Sequence, residues 1–321
     1  MTIPLVSFVI PVLNSESDIA RCLLSIRNQK CPGVHYEVLI MDNGSTDRTH
    51  YVMRSLGFDF QVVAGVNVST LRNRGVAKAR GDYIAFVDSD VELSLQWLET
   101  GLAAFRDKKV VAAGCFPGVP KGATWVQQTW DLHQRGLDCE LQTTPVPWLS
   151  SMNLIVRRSD FLAIRGFNEN LETAEDVDLC YRLGRHGTIL CYPAMEAIHW
   201  GEARDLKTFW RKEVWRGRGN LHGIWSHGLR WDELPSLGYP LYMLCVVLLF
   251  SVGVWVDHRN KEFLLAPVAL LFLVGPALVL ALNTASEAKQ GRAIPKLFLL
   301  YLIYGFARSY SLINAWIRLL A

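Results

Sequence analysis

The chain has 321 residues, half of them hydrophobic, and a formal net charge of +3. This length allows one large domain, or one domain with an appendage, and the small net charge argues against nucleic acid as the main partner. Seven cysteines without a CxxC pair indicate reduced thiols rather than a disulfide framework. The first residues, MTIPLVSFVIPVLN, have no basic segment ahead of the apolar run, so we expect an opening strand and not a signal peptide.

The N-terminal part of the chain alternates strand-like and helix-like segments. Strands are predicted at 7–12, 36–41, 60–63, 83–87, 110–114, 154–156 and 188–192, and helices at 16–29, 46–56, 71–79, 93–105 and 177–186. Strands that alternate with helices predict an α/β fold, a mainly parallel sheet with helices on both faces. Prolines and glycines after residue 114 indicate a loop.

Carboxylates stand where three of these segments end or begin. Asp42 ends the strand VLIMD, Asp88 and Asp90 follow YIAFV, and Asp176 lies in AEDVDLCYR. Ligands of open α/β sheets bind at the carboxyl ends of the parallel strands. The sequence therefore predicts one cleft that holds a metal ion, a phosphorylated ligand and a proton acceptor.

Each nucleotide-side or metal candidate also has an ordinary structural interpretation. Asp88 and Asp90 lie two apart on extended backbone and can share Mg²⁺ or Mn²⁺, although most acidic pairs after a strand are solvated turns. Asp42 can accept a hydrogen bond from a base or ribose, or form an Asx-turn before the next helix. Arg72 carries the fork that suits phosphate oxygens, or belongs to a solvated basic turn.

Two further candidates follow along the chain. Asp176 begins a helix and is the candidate general base for an acceptor hydroxyl, whereas Glu175 and Asp178 are ordinary helix N-terminal acids. His199 follows the last predicted strand. A lone histidine is usually structural, but a neutral imidazole can bind a metal.

The C-terminal part of the chain is strongly apolar. The runs 239–256 and 263–282 carry no charge, and each is close to the roughly 20 residues that cross a bilayer as a helix. The segment 297–320 contains Arg308, so it is either a third span that packs this arginine against protein or a helix in the membrane interface. Basic residues concentrate before the first run and after the second, which predicts that the N-terminal domain faces the cytoplasm.

The segment 204–230 has apolar residues at helical spacing with basic residues between them. It is either a helix on an anionic membrane surface or a core-facing helix of the soluble domain. The predicted arrangement is therefore a cytoplasmic catalytic domain at 1–231, with 204–230 at the membrane interface, and a membrane domain at 237–321.

Five segments in order resemble a family 2 glycosyltransferase of the GT-A fold: FVIPVLN, VLIMDNGSTD, LRNRGVAKARGDYIAFVDSD, GFNENLETAEDVDLCYRL and AIHWG. The resemblance covers residues 7–201 and implies an inverting transferase that uses a nucleotide-diphosphate sugar and a divalent metal ion, Mn²⁺ or Mg²⁺. It also implies individual roles: Pro11 and Asn14 in the nucleotide-side loop, Asp42 at the base, Asp88 at the nucleotide or ribose, Asp90 and His199 at the metal, and Asp176 as the base.

Contacts with the sugar or acceptor are implied at Trp148, Asn153 and Glu175, although a tryptophan in such a segment is as often a core residue. Processive members of the family carry a Q-x-x-R-W motif, whereas the corresponding region here reads FWRKEVWRGRGN. This departure argues against processive polymerisation.

The predicted function is transfer of a single sugar to an acceptor hydroxyl, on a lipid-linked glycan at the cytoplasmic face of a multi-pass membrane protein. Such a reaction belongs to bacterial cell-envelope or exopolysaccharide assembly. One alternative is a polyprenyl-phosphate glycosyltransferase, whose acceptor is the lipid phosphate. Another is an inactive nucleotide-sugar sensor or scaffold, which the intact carboxylate set disfavours. A transporter is disfavoured because the apolar runs contain almost no polar residues.

Overall fold

The computed structural model describes residues 5–137, 143–219, 234–261 and 263–320. The chain divides into two compact units. One consists of Met1–Gly122 with Leu137–Glu202, and the other of Ala123–Gly136 with Ala203–Ala321. The predicted domain arrangement, whose boundary at 231 lies outside the described residues, stays a prediction.

The first unit is built on a twisted sheet. Its strands are β1 (Leu5–Val12), β2 (His35–Asp42), β3 (Phe60–Val62), β4 (Tyr83–Val87), β5 (Val91–Leu93), β6 (Val110–Gly114), β7 (Thr144–Pro145), β8 (Asn153–Arg157), β9 (Thr188–Cys191) and β10 (Ala197–His199). Eight of them form one sheet in the order β3-β2-β1-β4-β8-β6-β9-β7, in which only β8 and β7 run antiparallel to their neighbours. β5 and β10 form a separate antiparallel pair.

Helices cover both faces of this sheet: α1 (Ile19–Arg27), α2 (Thr49–Ser55), α3 (Val68–Lys78), α4 (Trp97–Ala104), α6 (Arg158–Ala163) and α7 (Glu175–Leu183). Because both faces are covered, the central strand β1 is buried over seven of its eight residues. Phe8 packs against Trp97 of α4, with ring centroids 5.9 Å apart. The polar residues that follow the strands are therefore attached to a sheet whose central strand is buried.

The predicted α/β class and all seven predicted strands are confirmed, with ends that differ by at most two residues. β5, β7 and β10 were not predicted. β5 has three residues and is held by β10, far along the chain, so no local pattern identifies it. The helix predicted from residue 93 begins at Trp97 for the same reason, and the predicted loop after 114 is followed by α5 (Trp125–Leu137).

The second unit is helical. Besides α5 it contains α8 (Leu206–Arg216), α9 (Leu234–Asn260), α10 (Leu265–Glu287) and α11 (Ile294–Leu320). Gly238–Asn260 and Leu265–Glu287 are long and apolar enough to cross a membrane, and only 22% and 17% of their most apolar windows are buried. The first two predicted spans coincide with these helices. Within the described part of the chain, α11 does not meet the same criterion of length and composition.

A carboxylate closes the hairpin formed by α9 and α10. Asp257, near the end of α9, accepts hydrogen bonds from the backbone N–H groups of Leu264, Leu265 and Ala266 at 3.2, 3.1 and 2.8 Å. It thereby satisfies N–H groups that the first turn of α10 leaves without helical partners. The connection between the two apolar helices is fixed by this cap.

One face of α8 packs on protein in the second unit. Phe209 and Glu213 are buried, and the Phe209 ring contacts the ring of Trp130 in α5 with centroids 4.7 Å apart. α8 covers 206–216 of the predicted interfacial segment, and residues 220–230 of that segment lie outside the described residues. Its proposed contact with a membrane surface stays a prediction.

Five of the cysteines have free thiols: Cys22, Cys31, Cys115, Cys180 and Cys245. Cys191 is disulfide-bonded. The prediction of reduced thiols throughout is therefore wrong at Cys191, because the spacing of cysteines along a chain does not reveal which sulfur atoms meet in space.

Candidate active site

The loops after β1 and β2 are tied together by polar contacts. The two strands run parallel, with Pro11 beside Met41 in the sheet. Asn14 has a left-handed backbone, with φ of 48°. Its side-chain oxygen accepts a hydrogen bond from the Thr46 backbone N–H at 2.8 Å, and its own N–H donates to Ser45 Oγ at 2.9 Å. Pro11 is buried in the strand, just before the loop that carries Asn14.

Asp42 ends β2 and is fully buried. Its Oδ2 accepts hydrogen bonds from the N–H groups of Gly44 and Ser45 at 2.9 and 3.0 Å and from His50 Nε2 at 2.8 Å, and Oδ1 accepts one from Ser45 Oγ. Burial alone would raise the pKa of Asp42, but the hydrogen bonds from Ser45, His50 and Gly44 outweigh it and lower the pKa. The carboxylate is therefore held ionised behind the loop it organises.

His50 is the exposed partner of this pair and was not predicted from the sequence. Its side chain is 31% exposed, and its ring stacks on Phe60 with centroids 4.5 Å apart. A ligand that is to contact Asp42 directly must displace one of the present donors. The only sequence signal for His50 was its position in the first turn of a short helix, which does not indicate a contact with Asp42.

Arg72 joins the end of β4 to the start of α7. Its Nη2 donates to Asp88 Oδ1 at 2.7 Å and its Nη1 donates to Glu175 Oε1 at 2.8 Å. Burial lowers the pKa of the guanidinium, but the charges of Asp88 and Glu175 outweigh it and raise the pKa. Arg72 is 2% exposed, so it lies in the interior as a bridge between two carboxylates and not on the surface as a free phosphate ligand.

Asp176 lies in the first turn of α7, directly after Glu175. Ala174, which precedes the helix, has a left-handed backbone with φ of 63°. Burial raises the pKa of Asp176 to about 7, the charge of Glu175 adds to this increase, and Arg72 opposes it. A carboxylate that titrates near neutral pH is suited to accept a proton. The sequence placed Asp176 correctly at a helix start but gave no indication of its pKa.

Asp90 and His199 meet because β5 pairs with β10. His199 lies opposite Val91 in this ladder, and its Nε2 is 3.2 Å from Asp90 Oδ2. Its Nδ1 is 3.3 Å from the Glu202 carboxylate. Burial would lower the pKa of His199, but hydrogen bonds to Asp90 and Glu202 raise it to about 9. Two residues far apart in sequence are thus in direct contact.

The donor set at Asp90 and His199 fits a divalent cation. Carboxylate and imidazole are both metal ligands, and a carboxylate at the second ring nitrogen, here from Glu202, is the usual support of a metal-binding histidine. No side chain fits at Gly201, since a Cβ there would overlap Asp90 Oδ2 and lie 3.0 Å from His199 Nε2. Among the described residues there is no group of three or more side chains that could by themselves hold a metal ion.

The two candidates for sugar or acceptor contacts, Trp148 and Asn153, differ in solvent exposure. Trp148 is partly exposed and contacts Phe116 edge to face, with centroids 5.3 Å apart. Asn153 is fully buried, accepts a hydrogen bond from Trp97 Nε1 and donates to the Cys115 carbonyl at 2.9 Å. Asn153 therefore has no accessible atom for a sugar, because its position in the central strand β8 faces the core.

The arrangement of the sheet is that of a known class of proteins. The structure is similar to the mannosyltransferase PcManGT from Pyrobaculum calidifontis, determined in complex with GDP-Man and Mn²⁺. The TM-score is 0.66 at 16% sequence identity, and the similarity covers 97% of this chain and 88% of that one. The chain thus has the GT-A fold, followed by apolar helices.

Residues 7–163 match the family described as Glycosyl transferase family 2. The chain therefore carries a family 2 glycosyltransferase domain, as the sequence motifs implied. The match includes the loops of Asn14 and Asp42, the Arg72 helix, and Asp88 and Asp90.

The sequence is also similar to those of two glycosyltransferases from other organisms. Validoxylamine A glucosyltransferase of Streptomyces hygroscopicus subsp. limoneus is 29% identical over 221 residues, which are 58% of this chain and 49% of that protein. Pre-mycofactocin glycosyltransferase of Mycobacterium tuberculosis is 28% identical over 300 residues, which are 88% of this chain and 59% of that protein. The chain thus spans about half the length of the first of these relatives.

Proposed function

We propose that the chain is an inverting glycosyltransferase that moves one sugar from a nucleotide-diphosphate sugar to an acceptor hydroxyl. The observation that carries this proposal is the Arg72 bridge. It holds Asp88 at a strand end together with Glu175, next to a carboxylate whose pKa is about 7. The same buried guanidinium thereby holds the donor-side carboxylate Asp88 and Glu175, the residue next to the proposed base.

The nucleotide is proposed to bind over the loops that follow β1, β2 and β4. Asn14 and Pro11 shape the first loop, Asp42 and its donors fix the second, and Asp88 contacts the nucleotide or ribose. Arg72 acts here through Asp88 and Glu175. It is proposed as a positioning residue and not as a direct ligand of the diphosphate, because its side chain is buried.

A divalent metal ion is proposed to bind at Asp90 and His199, with Glu202 orienting the imidazole. When bound, the ion would neutralise negative charge that develops on the departing nucleoside diphosphate. The Mn²⁺ and GDP-Man in the complex of the mannosyltransferase of similar fold support both ligand classes. The raised pKa of His199 predicts that a metal must displace a proton from this imidazole, so binding is expected to weaken as pH falls.

In the proposed reaction, Asp176 accepts the proton of the acceptor hydroxyl. The oxygen then attacks the anomeric carbon from the side opposite the diphosphate, and the bond to the diphosphate breaks with both electrons leaving on its oxygen. This displacement inverts the configuration of the sugar. Glu175 and Trp148 are proposed to contact the sugar or acceptor. Glu175 directly precedes the base in α7, and Trp148 is partly exposed.

The acceptor is proposed to be a lipid-linked glycan at the cytoplasmic face of a membrane. Two apolar helices follow the catalytic domain, and their side chains are largely exposed. Basic residues on the segments that flank them favour a cytoplasmic position for the domain. The protein would then be a multi-pass protein of the cytoplasmic membrane that acts in polysaccharide or cell-envelope assembly.

The base assignment is tested by Asp176→Asn, with Glu172→Gln as the matched control. Glu172 is an exposed carboxylate four residues earlier. Loss of a positioned general base is expected to lower kcat by about 100-fold or more, while the control keeps wild-type activity and both variants bind donor nucleotide. Wild-type turnover by Asp176→Asn would contradict the base, and with a lipid phosphate as acceptor it would favour the polyprenyl-phosphate alternative.

The donor class is tested by thermal stabilisation of the full chain with a panel of nucleotide sugars, with and without Mn²⁺. We expect at least one nucleotide sugar to raise the melting temperature, and Mn²⁺ to increase the effect. Stabilisation by none of them would contradict the proposal as a whole. Binding without any transfer or hydrolysis would instead identify a sensor or scaffold.

A further inference from the structure

We infer that α11 is not a third span but an interfacial helix, which lies across the membrane surface and presents one apolar face to lipid. This inference rests on the proposed membrane placement of the α9–α10 hairpin. Four observations within the helical unit carry it: the depth of the contacts of α11, its ion pair with α8, a stripe of exposed apolar side chains, and the continuity of this stripe with the hairpin.

Two hydrogen bonds and one ring contact join α11 to the part of α9 where the predicted first span begins. The Tyr301 carbonyl accepts a hydrogen bond from Tyr239 Oη at 3.3 Å, and the Tyr304 ring stacks on that of Tyr239. Ser309 Oγ donates to the Pro240 carbonyl at 2.9 Å. Residues 301, 304 and 309 of α11 thus contact positions 239 and 240 of α9.

This pattern determines the direction of α11. Nine residues of helix extend over about 12 Å. If α11 ran down through a bilayer beside α9, residue 309 would contact α9 about two turns deeper than residue 301 does. Both instead contact the same end of α9, and Tyr301 Oη also lies 2.6 Å from Thr284 Oγ1, one turn before the end of α10. α11 therefore crosses the ends of the two helices instead of running between them.

The polar side of α11 is bound to α8. Arg308 donates from Nε and Nη2 to Glu213 Oε2 at 3.0 and 2.9 Å, and Arg216 Nη1 donates to Glu213 Oε1 at 2.8 Å. α8 also carries the exposed side chains of Lys207 and Arg211. If α11 spanned the bilayer, these charges would accompany Arg308 into the hydrocarbon region, which is strongly unfavourable. At the membrane surface they instead meet headgroups and water.

The outer side of α11 is apolar. Its exposed large hydrophobic side chains are Leu299, Phe306, Tyr310, Ile313 and Ile317, which are 37–58% exposed. Their spacings of seven, four, three and four residues place them on one face of a helix. The other side of the helix is buried in the helical unit at Leu297, Leu300 and Ala307. An apolar stripe of this length beside a basic helix is the pattern of a helix in the membrane interface.

Lipid is the occupant that this stripe fits best, because α9 and α10 expose apolar side chains such as Leu249 and Leu271 and the stripe lies at the ends of these same helices. Acyl chains around the hairpin and headgroups around α8 would then form one continuous environment. A second consequence concerns topology. The end of α11 lies on the same side of the membrane as the catalytic unit, that is, the first unit, which carries the sheet and the proposed active site.

The topology is tested by two versions of the full chain, one with an epitope tag inserted after Asn260 and one with the tag after Ala321. Protease is added to sealed vesicles of known orientation. We expect the tag after Ala321 to be cleaved together with the catalytic unit, and the tag after Asn260 to be protected. Protection of the tag after Ala321 on the opposite side would overturn the inference and leave the hairpin intact. Cleavage of both tags would overturn the hairpin, and with it the inference and the membrane part of the proposed function.

The occupant is tested by photo-crosslinking in native membranes, with a photoreactive amino acid in place of Ile313. The same residue replaces Leu271 in α10 as the lipid-facing reference and Lys108 of the catalytic unit as the water-facing reference; both are exposed. We expect crosslinks to lipid at positions 313 and 271 of comparable yield, and none at 108. Crosslinks from position 313 to a second copy or another protein instead of lipid, or no crosslink at all, would overturn the inference.

Discussion

At the scale of single residues, burial is what makes Asp176 a candidate base. A solvated aspartate titrates near 3.9 and is a weak base at neutral pH. Desolvation and the neighbouring charge of Glu175 raise the pKa of Asp176 to about 7, while Arg72 limits the increase. The same environment that favours proton transfer therefore destabilises the ionised form that the reaction requires.

The pKa of Asp176 predicts how activity and stability depend on pH. The rate at low substrate concentration is expected to fall below a pH of about 7, since the protonated carboxyl cannot act as a base. The pKa of Asp176 is higher in the folded than in the unfolded state. The bound proton therefore stabilises the fold fully below the pKa of the unfolded state, and this contribution is lost as pH rises through about 7. Asp176→Asn, which cannot ionise, should therefore gain stability over the wild type as pH rises.

Each unit of pKa shift corresponds to about 1.4 kcal/mol of unfolding free energy. The melting temperature of Asp176→Asn minus that of the wild type should therefore be larger at pH 8 than at pH 5. Thermal melts and initial rates across this pH range measure both effects. A constant difference in melting temperature between Asp176→Asn and wild type would show that Asp176 has an ordinary pKa.

Gly201 provides a second prediction at this scale. In Gly201→Ala the new methyl group overlaps Asp90 Oδ2 and lies 3.0 Å from His199 Nε2, so the carboxylate must move away from the imidazole. We expect the Mn²⁺ concentration for half-maximal activity to rise about 10-fold or more, as is usual when the support of metal ligands is disturbed. Gly291→Ala is the control, because nothing lies within 4 Å of its added methyl. Equal metal dependence of both variants would argue against a metal at Asp90.

At the scale of secondary structure elements, single buried charged residues connect helices and strands that local sequence does not relate. Arg72 of α3 connects β4 to α7 in the catalytic unit. Glu213 of α8 connects to α11 through Arg308 in the helical unit. Such ion pairs contribute little net stability compared with apolar packing, but the loss of one partner leaves the other buried without compensation.

Glu213→Gln is therefore expected to destabilise the helical unit. Glu213 is 1% exposed and pairs with both Arg216 and Arg308. Neutralising it removes both ion pairs from a buried position, at a cost of about 3–5 kcal/mol. Asp18→Asn is the matched control, since its partner Arg21 is 38% exposed and exposed pairs contribute about 1 kcal/mol or less. Denaturation in detergent monitors both variants. Equal losses of stability in Glu213→Gln and Asp18→Asn would show that the ion pairs of Glu213 are solvated.

At the scale of the whole molecule, the catalytic unit and the apolar helices α9 and α10 expose different kinds of surface. Exposed leucines in the catalytic unit, such as Leu162, contact water singly, as on most proteins. α9 exposes large apolar side chains between Leu241 and Trp255, and α10 between Leu265 and Leu282. This contrast predicts a lipid environment for the second group only.

The contrast is tested by Leu271→Arg and Leu162→Arg, which are 69% and 49% exposed in the wild type. An arginine near the middle of a span costs about 2.5–3.5 kcal/mol of insertion free energy, so Leu271→Arg is expected to lower the amount of carbonate-resistant protein in the membrane several-fold. Leu162→Arg should leave it unchanged. Equal recovery of both variants would indicate that α10 is not in contact with lipid.

The sequence predicted the features that depend on short stretches of chain. Apolar runs of strand length predicted seven strands, and the ends of these runs drew attention to Asp42, Asp88 and Asp90, because a run of apolar residues is a local property of the sequence. The unbroken apolar runs identified the two helices that can cross a membrane for the same reason. The order of the motifs also identified the family, whose domain covers residues 7–163.

Only the tertiary structure decided how these residues are used. It paired Asp90 with His199 through β5 and β10, buried Arg72 between two carboxylates, and enclosed Asn153 in the core. It also set α11 across the ends of α9 and α10. Each of these outcomes depends on contacts between residues far apart in the chain. Desolvation and charge compensation determine which groups meet, and a short stretch of sequence does not reveal these energies.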